Sequence, residues 1–466
     1  MISYKEHIRS LALLGIPIII GQVGSIAQAF ADTIMVGHYG TDELSAAGFV
    51  NNVMNLAIYL LLGFSYSTTP IVGSYVGRRQ TEKATRTLKE SLTGNLLFCA
   101  VIALLLVFLY THLEWLNQPA ELLPLIRPYF LVILSSLPFL ALFNSLKQFC
   151  DGTGDTRSAM WIMMGGNVIN ILGNWLFIFG LPSVTLGTLT LSVPALGLVG
   201  AGVATLTSRI LMLCGLGLVV CCSRRYRHFR EGLRTGMTRR GLLHISRTGL
   251  PISLQMGLEA SSFNLAAVMM GWLGVAALAA HQVMCTVATF CFLVYYGIGA
   301  AAAIRMSHFR GCAQMARTDE AAADMWREVR RTSTAAYVMV SATACILITV
   351  VFVWRHDIIG CFTTNADVLA ACTTMVLPFI FYQLGDMTQI IFANSLRAIE
   401  DVRPLMWGAA VAYLVVSLPL SYLFGIVWKG GAAGVWYGFP FGLTTAGILF
   451  FWRYRAFMKK RIRTAG

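Results

Sequence analysis

Three carboxylates lie inside apolar runs of this chain: Asp32, Glu259 and Asp386. The other 18 of its 21 acidic residues fall in loops or at the ends of such runs. An acid at the centre of a lipid-facing helix costs about 2.5 to 3.5 kcal/mol on insertion scales, so such residues face a protein interior or water and serve a function there. Desolvation disfavours the charged form of a buried carboxylate. Such a group holds a proton readily, and when deprotonated it takes a cation. That is the chemistry of ion-coupled transport; the bland role is a permanently protonated acid bonding two helices together.

Candidate partners follow from helical spacing. Asn167, Asn170 and Asn174 stand at i, i+3 and i+7 and share one face of a helix. With Asp32 and Thr205, the pair Asn170 and Asn174 forms an oxygen-rich set suited to a hard cation such as Na⁺. Their competing role is a packing bond between helices. Tyr382 and Asp386, at i and i+4, form a second set with Glu259. Phe263, Met256, Met269 and Tyr382 pack helices or, if they line a cavity, suit flat organic cations. Arg209 is the only clear cation inside an apolar run, where it lines an aqueous cavity or snorkels.

The elements that must position these groups are membrane spans. Of the 466 residues 57% are hydrophobic and 12% charged, and the mean hydropathy is +0.69, far beyond what a soluble core requires. Twelve apolar runs are long enough to cross a bilayer. They derive from a duplication. Residues 15–40 align without a gap on residues 249–274, so that Gly15, Pro17, Ile18, Met35, Gly37 and Gly40 fall on Gly249, Pro251, Ile252, Met269, Gly271 and Gly274. Asp32 falls on Ala266 and Glu259 on Ser25, so the repeat copies the scaffold and not the charges. Pro17 and Pro251 are positions for bends.

The net charge of +14 is distributed by topology. Residues 223–247 hold eight Arg against the single acid Glu231, and further cations cluster at 78–89, 305–331 and 453–463, while alternate loops are nearly bare of them. This positive-inside pattern puts both termini in the cytoplasm, with contact to anionic lipids as a further use and nucleic acid excluded as the preferred partner. The eleven Cys lack a metal-binding spacing and read as free thiols. The eight His are dispersed, without an HExxH or a paired nucleophile, which argues against an enzyme. No cofactor is called for.

With ADTIMVGHYG in the first span, GAGVAT in the sixth, the Pro251 to Glu259 stretch, and YQLGD followed by SLRAIEDVRP in the tenth, the sequence resembles the multidrug and toxic compound extrusion (MATE) family, NorM-like branch, over essentially its whole length. The resemblance implies an all-α membrane protein of twelve transmembrane helices in two six-helix bundles forming a V. Residues 1–222 and 248–466 would be the lobes and 223–247 a basic linker. It implies an antiporter of the inner membrane, a monomer, that exports organic cations against inward Na⁺ or H⁺. Asp32, Asn170, Asn174 and Thr205 stand at the first-lobe ion site, and Glu259 and Asp386 at the second-lobe acids with Tyr382 beside them. The oxygen set leans toward Na⁺ held by Asp32, Glu259 and Asp386, though the same carboxylates serve H⁺; the substrate is left open. The rival is a flippase for a lipid-linked or other amphiphilic substrate, which calls for several cavity-lining cations.

Overall fold

A computed structural model of the chain describes residues 2–116, 119–186 and 189–464. Twelve long helices dominate: α1 (Tyr4–Tyr39), α2 (Thr41–Gly77), α3 (Thr81–Thr111), α4 (Leu123–Gly152), α5 (Thr156–Phe179), α6 (Gly197–Cys222), α7 (Arg239–Leu273), α8 (Val275–Met315), α9 (Asp319–Val353), α10 (Ala366–Ala398), α11 (Arg403–Val427) and α12 (Gly431–Thr464). Local chemistry starts many of them. Ser3 and Glu6 form a capping box on α1, and the side chains of Asp155, Thr238, Thr318 and Asn365 accept backbone N–H bonds at the starts of α5, α7, α9 and α10.

Eleven of the twelve are long and apolar enough to cross a membrane. The exception, α7, is 35 residues long, but Gln255, Glu259, Ser261, Ser262 and Asn264 dilute its apolar run. Polarity there is the signature of a helix that faces protein rather than lipid. Lipid-facing positions elsewhere stay large and bare, as at Leu104 and Leu172. The chain is an integral, multi-pass membrane protein. Between α5 and α6, residues Leu181–Leu186 (β1) and Leu189–Val193 (β2) pair antiparallel, the only sheet among the described residues.

Helices α1–α6 pack chiefly on one another, and so do α7–α12. Each group has its own apolar core: Val50, Leu61, Phe130 and Leu137 sit in the first, Tyr295, Phe379, Trp436 and Phe439 in the second. Buried Leu11, Ile18 and Tyr66 cross over, joining the second core from α1 and α2, and Ile245 of α7 packs with Phe64 and Ile71 of α2. The groups meet where α2 lies on α7 and α8, and where α1 lies on α8.

That contact is concentrated at one end, the end that carries the Arg-rich segments. Backbones approach so closely there that a Cβ on Gly63 would come within 2.7 Å of Ser253 Cα, and one on Gly77 within 2.1 Å of the His308 carbonyl oxygen. Ser253 Oγ donates to the Leu60 carbonyl at 2.7 Å, His308 Nε2 bonds the Gly152 carbonyl at 2.7 Å, and buried His7 bonds Glu328 at 2.9 Å. At the opposite end a Cβ on Gly48, Gly271 or Gly274 would meet nothing within 4 Å. The two groups are sealed at the basic end and diverge at the other. The repeat is not followed slavishly: α2 breaks at Tyr66–Ser67, three residues after Gly63, whereas α8 runs unbroken through the equivalent Gly297. Likewise the α7–α8 turn uses Gly274 at φ 115°, a conformation that favours glycine, while its counterpart Gly40 is extended.

Candidate functional site

Two polar clusters stand inside the two helix groups. In the first, α1 presents half-buried Asp32 toward α5 and α6. Gln28, one turn earlier, donates to Asp32 Oδ2 at 3.4 Å, and Asn174 Nδ2 donates to Asp32 Oδ1. Asn174 Nδ2 also reaches Asn170 Oδ1 at 3.3 Å, and Asn170 Nδ2 reaches Thr205 Oγ1 at 3.3 Å. Both Asn side chains are fully buried, and Asn174 Oδ1 has no donor. The set Asp32, Asn170, Asn174 and Thr205 is thus one connected cluster of oxygens with an unused acceptor. Asn167, though on the same helix face, abuts Gly24 instead. Arg209, on α6, donates to Ser136 Oγ at 2.5 Å and lies within electrostatic reach of Asp32.

In the second cluster Glu259, on α7, is half-buried and its Oε2 accepts from Gln255 and Gln389, each at 3.2 Å. Asp386, on α10, is fully buried, and neither of its carboxylate oxygens has a hydrogen-bond partner. The two acids lie within electrostatic reach of each other. A buried carboxylate with no donor demands a proton or a cation. Glu259 and Asp386 together offer a place for one.

Beside them stands an aromatic wall. Tyr382, only 4% exposed, has its ring 6.2 Å from Phe263 and 6.0 Å from Trp436, while Phe263 stacks on Phe439 at 4.6 Å. Trp436 Nε1 donates to His281 Nδ1 at 3.1 Å. Met256 is half-buried on α7 and packs against the same core; with Glu259 and Phe263 it stands at i, i+3 and i+7, so all three share a face.

The three acids do not converge. Asp32 belongs to one helix group and Glu259 with Asp386 to the other, and among the described residues no three His, Cys, Asp or Glu side chains gather to hold a metal. Amide and hydroxyl oxygens must complete either cluster. Sequence reasoning missed several members. Gln28 and Gln255 each stand four residues before an acid, and Gln389 three after Asp386; a glutamine one helical turn from an intramembrane acid is a signal the sequence does carry. Trp436, Phe439 and His281 gave none, since nothing in spacing ties α12 or α8 to Tyr382.

One expectation is corrected. Arg209 is not the only cation covered by packing: Lys147 on α4 and Arg397 on α10 are 7% and 6% exposed. Each lies close to a turn in sequence, but packing between the two helix groups covers it.

Comparison with known proteins agrees with this architecture. A family model described as MatE matches residues 17–176 and 251–423. The multidrug resistance protein NorM of Vibrio cholerae is 27% identical over 459 residues, covering 96% of this chain and 95% of the relative. The multidrug resistance protein MdtK of Edwardsiella ictaluri is 28% identical over 467 residues, covering 98% and 96%. Among solved structures, the eukaryotic MATE transporter AtDTX14 superposes with a TM-score of 0.85 at 18% identity, covering 99% of this chain and 98% of that one. A MOP superfamily transporter from Pyrococcus furiosus gives 0.81 at 19% identity, covering 98% and 96%. At those identities the likeness is one of fold.

Proposed function

Because the chain belongs to the MatE family, and is therefore a transporter and not an enzyme, we propose that it exports organic cations, drugs or toxic metabolites through the inner membrane in exchange for inward Na⁺ or H⁺. Asp386, fully buried with two unpartnered carboxylate oxygens beside half-buried Glu259, is the observation that carries this reading. Ion and substrate compete for these acids, so that loading one favours release of the other. Phe263, Met256 and Tyr382 give the substrate an apolar and aromatic surface suited to a delocalised cation. Asp32, Asn170, Asn174 and Thr205 form a second ion site in the first lobe.

The moving parts are the lobes 1–222 and 248–466, joined by the basic linker 223–247. The basic end faces the cytoplasm by the positive-inside rule, so the present state is open outward. An even number of spans per repeat places the axis between lobes along the membrane normal, and rocking about it alternates access. The protein works as a monomer among membrane lipids and uses no cofactor beyond the coupling ion.

A flippase for a phosphate-bearing amphiphile draws support from buried Lys147 and Arg397 and half-buried Arg209. Each, however, is already engaged by a protein acceptor: Asp151, Ser136 and Gln255. The test is efflux of ethidium or norfloxacin from energised vesicles under an imposed Na⁺ gradient and, separately, a proton gradient. Efflux driven by Na⁺ alone makes the oxygen clusters metal sites, and efflux driven only by protons makes the acids proton carriers. No efflux under either gradient overturns the antiporter and favours the flippase.

A further inference from the structure

Where the two helix groups close on each other at the basic end, a small cavity of about 30 Å³ remains. Its cationic walls come from the internal repeat. Asn144-Ser145-Leu146-Lys147 ends α4, and Asn394-Ser395-Leu396-Arg397 lies at the matching end of α10, so each half contributes one buried cation to the same cavity.

Charge does not balance there. Lys147 Nζ donates to Asp151 Oδ2 at 2.8 Å, which settles one pair. Arg397 has no such partner: Nη2 donates to the neutral Gln255 Oε1 at 2.7 Å, the guanidinium lies 5.5 Å from the Tyr66 ring centroid, and Nε is buried with no acceptor. Among the residues that line the cavity, two cations and one carboxylate leave one net positive charge, an arrangement that is costly where buried unless an anion compensates it. Glu259, outside the cavity lining, lies within electrostatic reach of Arg397 and is bridged to it by Gln255. When Glu259 has taken up a proton or a cation, that compensation is gone.

We propose that this cavity binds one small monovalent anion of the halide class between Lys147 and Arg397. Its volume of about 30 Å³ has room for a water or a chloride-sized ion. Asp151 Oδ1 is also without a donor, so the anion sits toward the Arg397 end. Because residues of both groups line the cavity, Thr69 and Asp151 on one side and Ala300 and Asn394 on the other, the anion binds only while the basic end is shut and stabilises that state by mass action.

The experiment is thermal unfolding of the purified full chain in detergent, with Na⁺ and ionic strength held constant while chloride or bromide replaces gluconate. The parent is expected to unfold at higher temperature as chloride or bromide rises, with saturation, and Arg397→Gln is expected to need at least about tenfold more chloride for half the effect. Ala300→Leu fills the cavity while leaving every charge in place, and is expected to remain folded and lose the response. An absent chloride response in the parent, or an equal response in parent and both variants, overturns the site and leaves the cavity to water. No transported substrate enters the assay, so its failure is distinguishable from failure of the export reading.

Discussion

The two polar clusters sit on repeated scaffolds and yet are built to opposite plans. Around Asp32 the amides already point at the carboxylate: Gln28 and Asn174 donate to it, and Asn170 and Thr205 extend the chain of bonds. Around Asp386 nothing does, and its neighbour Glu259 keeps its two glutamines on one oxygen. A carboxylate satisfied by protein donors needs little from an incoming ion, whereas one left bare in a buried site needs a great deal. The difference teaches that the second cluster is the one whose energy changes most when an ion arrives. It also has the aromatic wall of Tyr382, Phe263, Phe439 and Trp436. Under the proposed export cycle, coupling and substrate recognition would concentrate in the half where polar satisfaction is poorest.

The largest test of that contrast is Asp386→Asn. Gradient-driven efflux is expected to fall on the order of a hundredfold, since removing one charge from a buried ion contact forfeits a few kcal/mol, while size-exclusion chromatography shows an intact fold. Efflux equal to the parent's would remove the second cluster from coupling. Asp32→Asn should do less, about tenfold, because the new amide still offers Asn174 an oxygen; a larger loss than for Asp386→Asn would invert the comparison. A third pair of variants compares the sealed end with the open one. Gly63→Ala forces a Cβ within 2.7 Å of Ser253 Cα and is expected to destabilise the closed state by about 1 to 3 kcal/mol, seen as a lower unfolding temperature. Gly271→Ala, with nothing within 4 Å, should shift stability by under about 0.5 kcal/mol.

The smallest effect on transport at neutral pH comes from Glu400, in the turn after α10. Burial by itself would raise its carboxyl, but the Arg310 charge and hydrogen bonds from His244 and Arg310 outweigh that and hold it at about 2, against an ordinary 4.5. A carboxyl depressed in the folded state contributes stability above its unfolded value and loses it as pH falls toward the folded one. Unfolding temperature should therefore drop between about pH 4.5 and pH 2, and Glu400→Gln should flatten that drop without altering efflux at pH 7.

Much of this was legible in the chain itself. Apolar runs of sufficient length force helices, because backbone groups in lipid have no other way to satisfy their hydrogen bonds. The 234-residue repeat doubled the scaffold, and the cost of leaving an acid in lipid marks Asp32, Glu259 and Asp386. The spacing of Asn170 and Asn174 sufficed to put them on one face. Tertiary structure alone decided which faces meet. It brought Trp436 and Phe439 from α12 to Tyr382 on α10, a pairing set by packing between helices far apart in sequence. It also turned Lys147 and Arg397, each close to a turn in sequence, into the buried walls of one cavity. Helical periodicity tells which side of a helix is apolar. What covers that side depends on how the two halves close, and in this protein the closure happens at one end only.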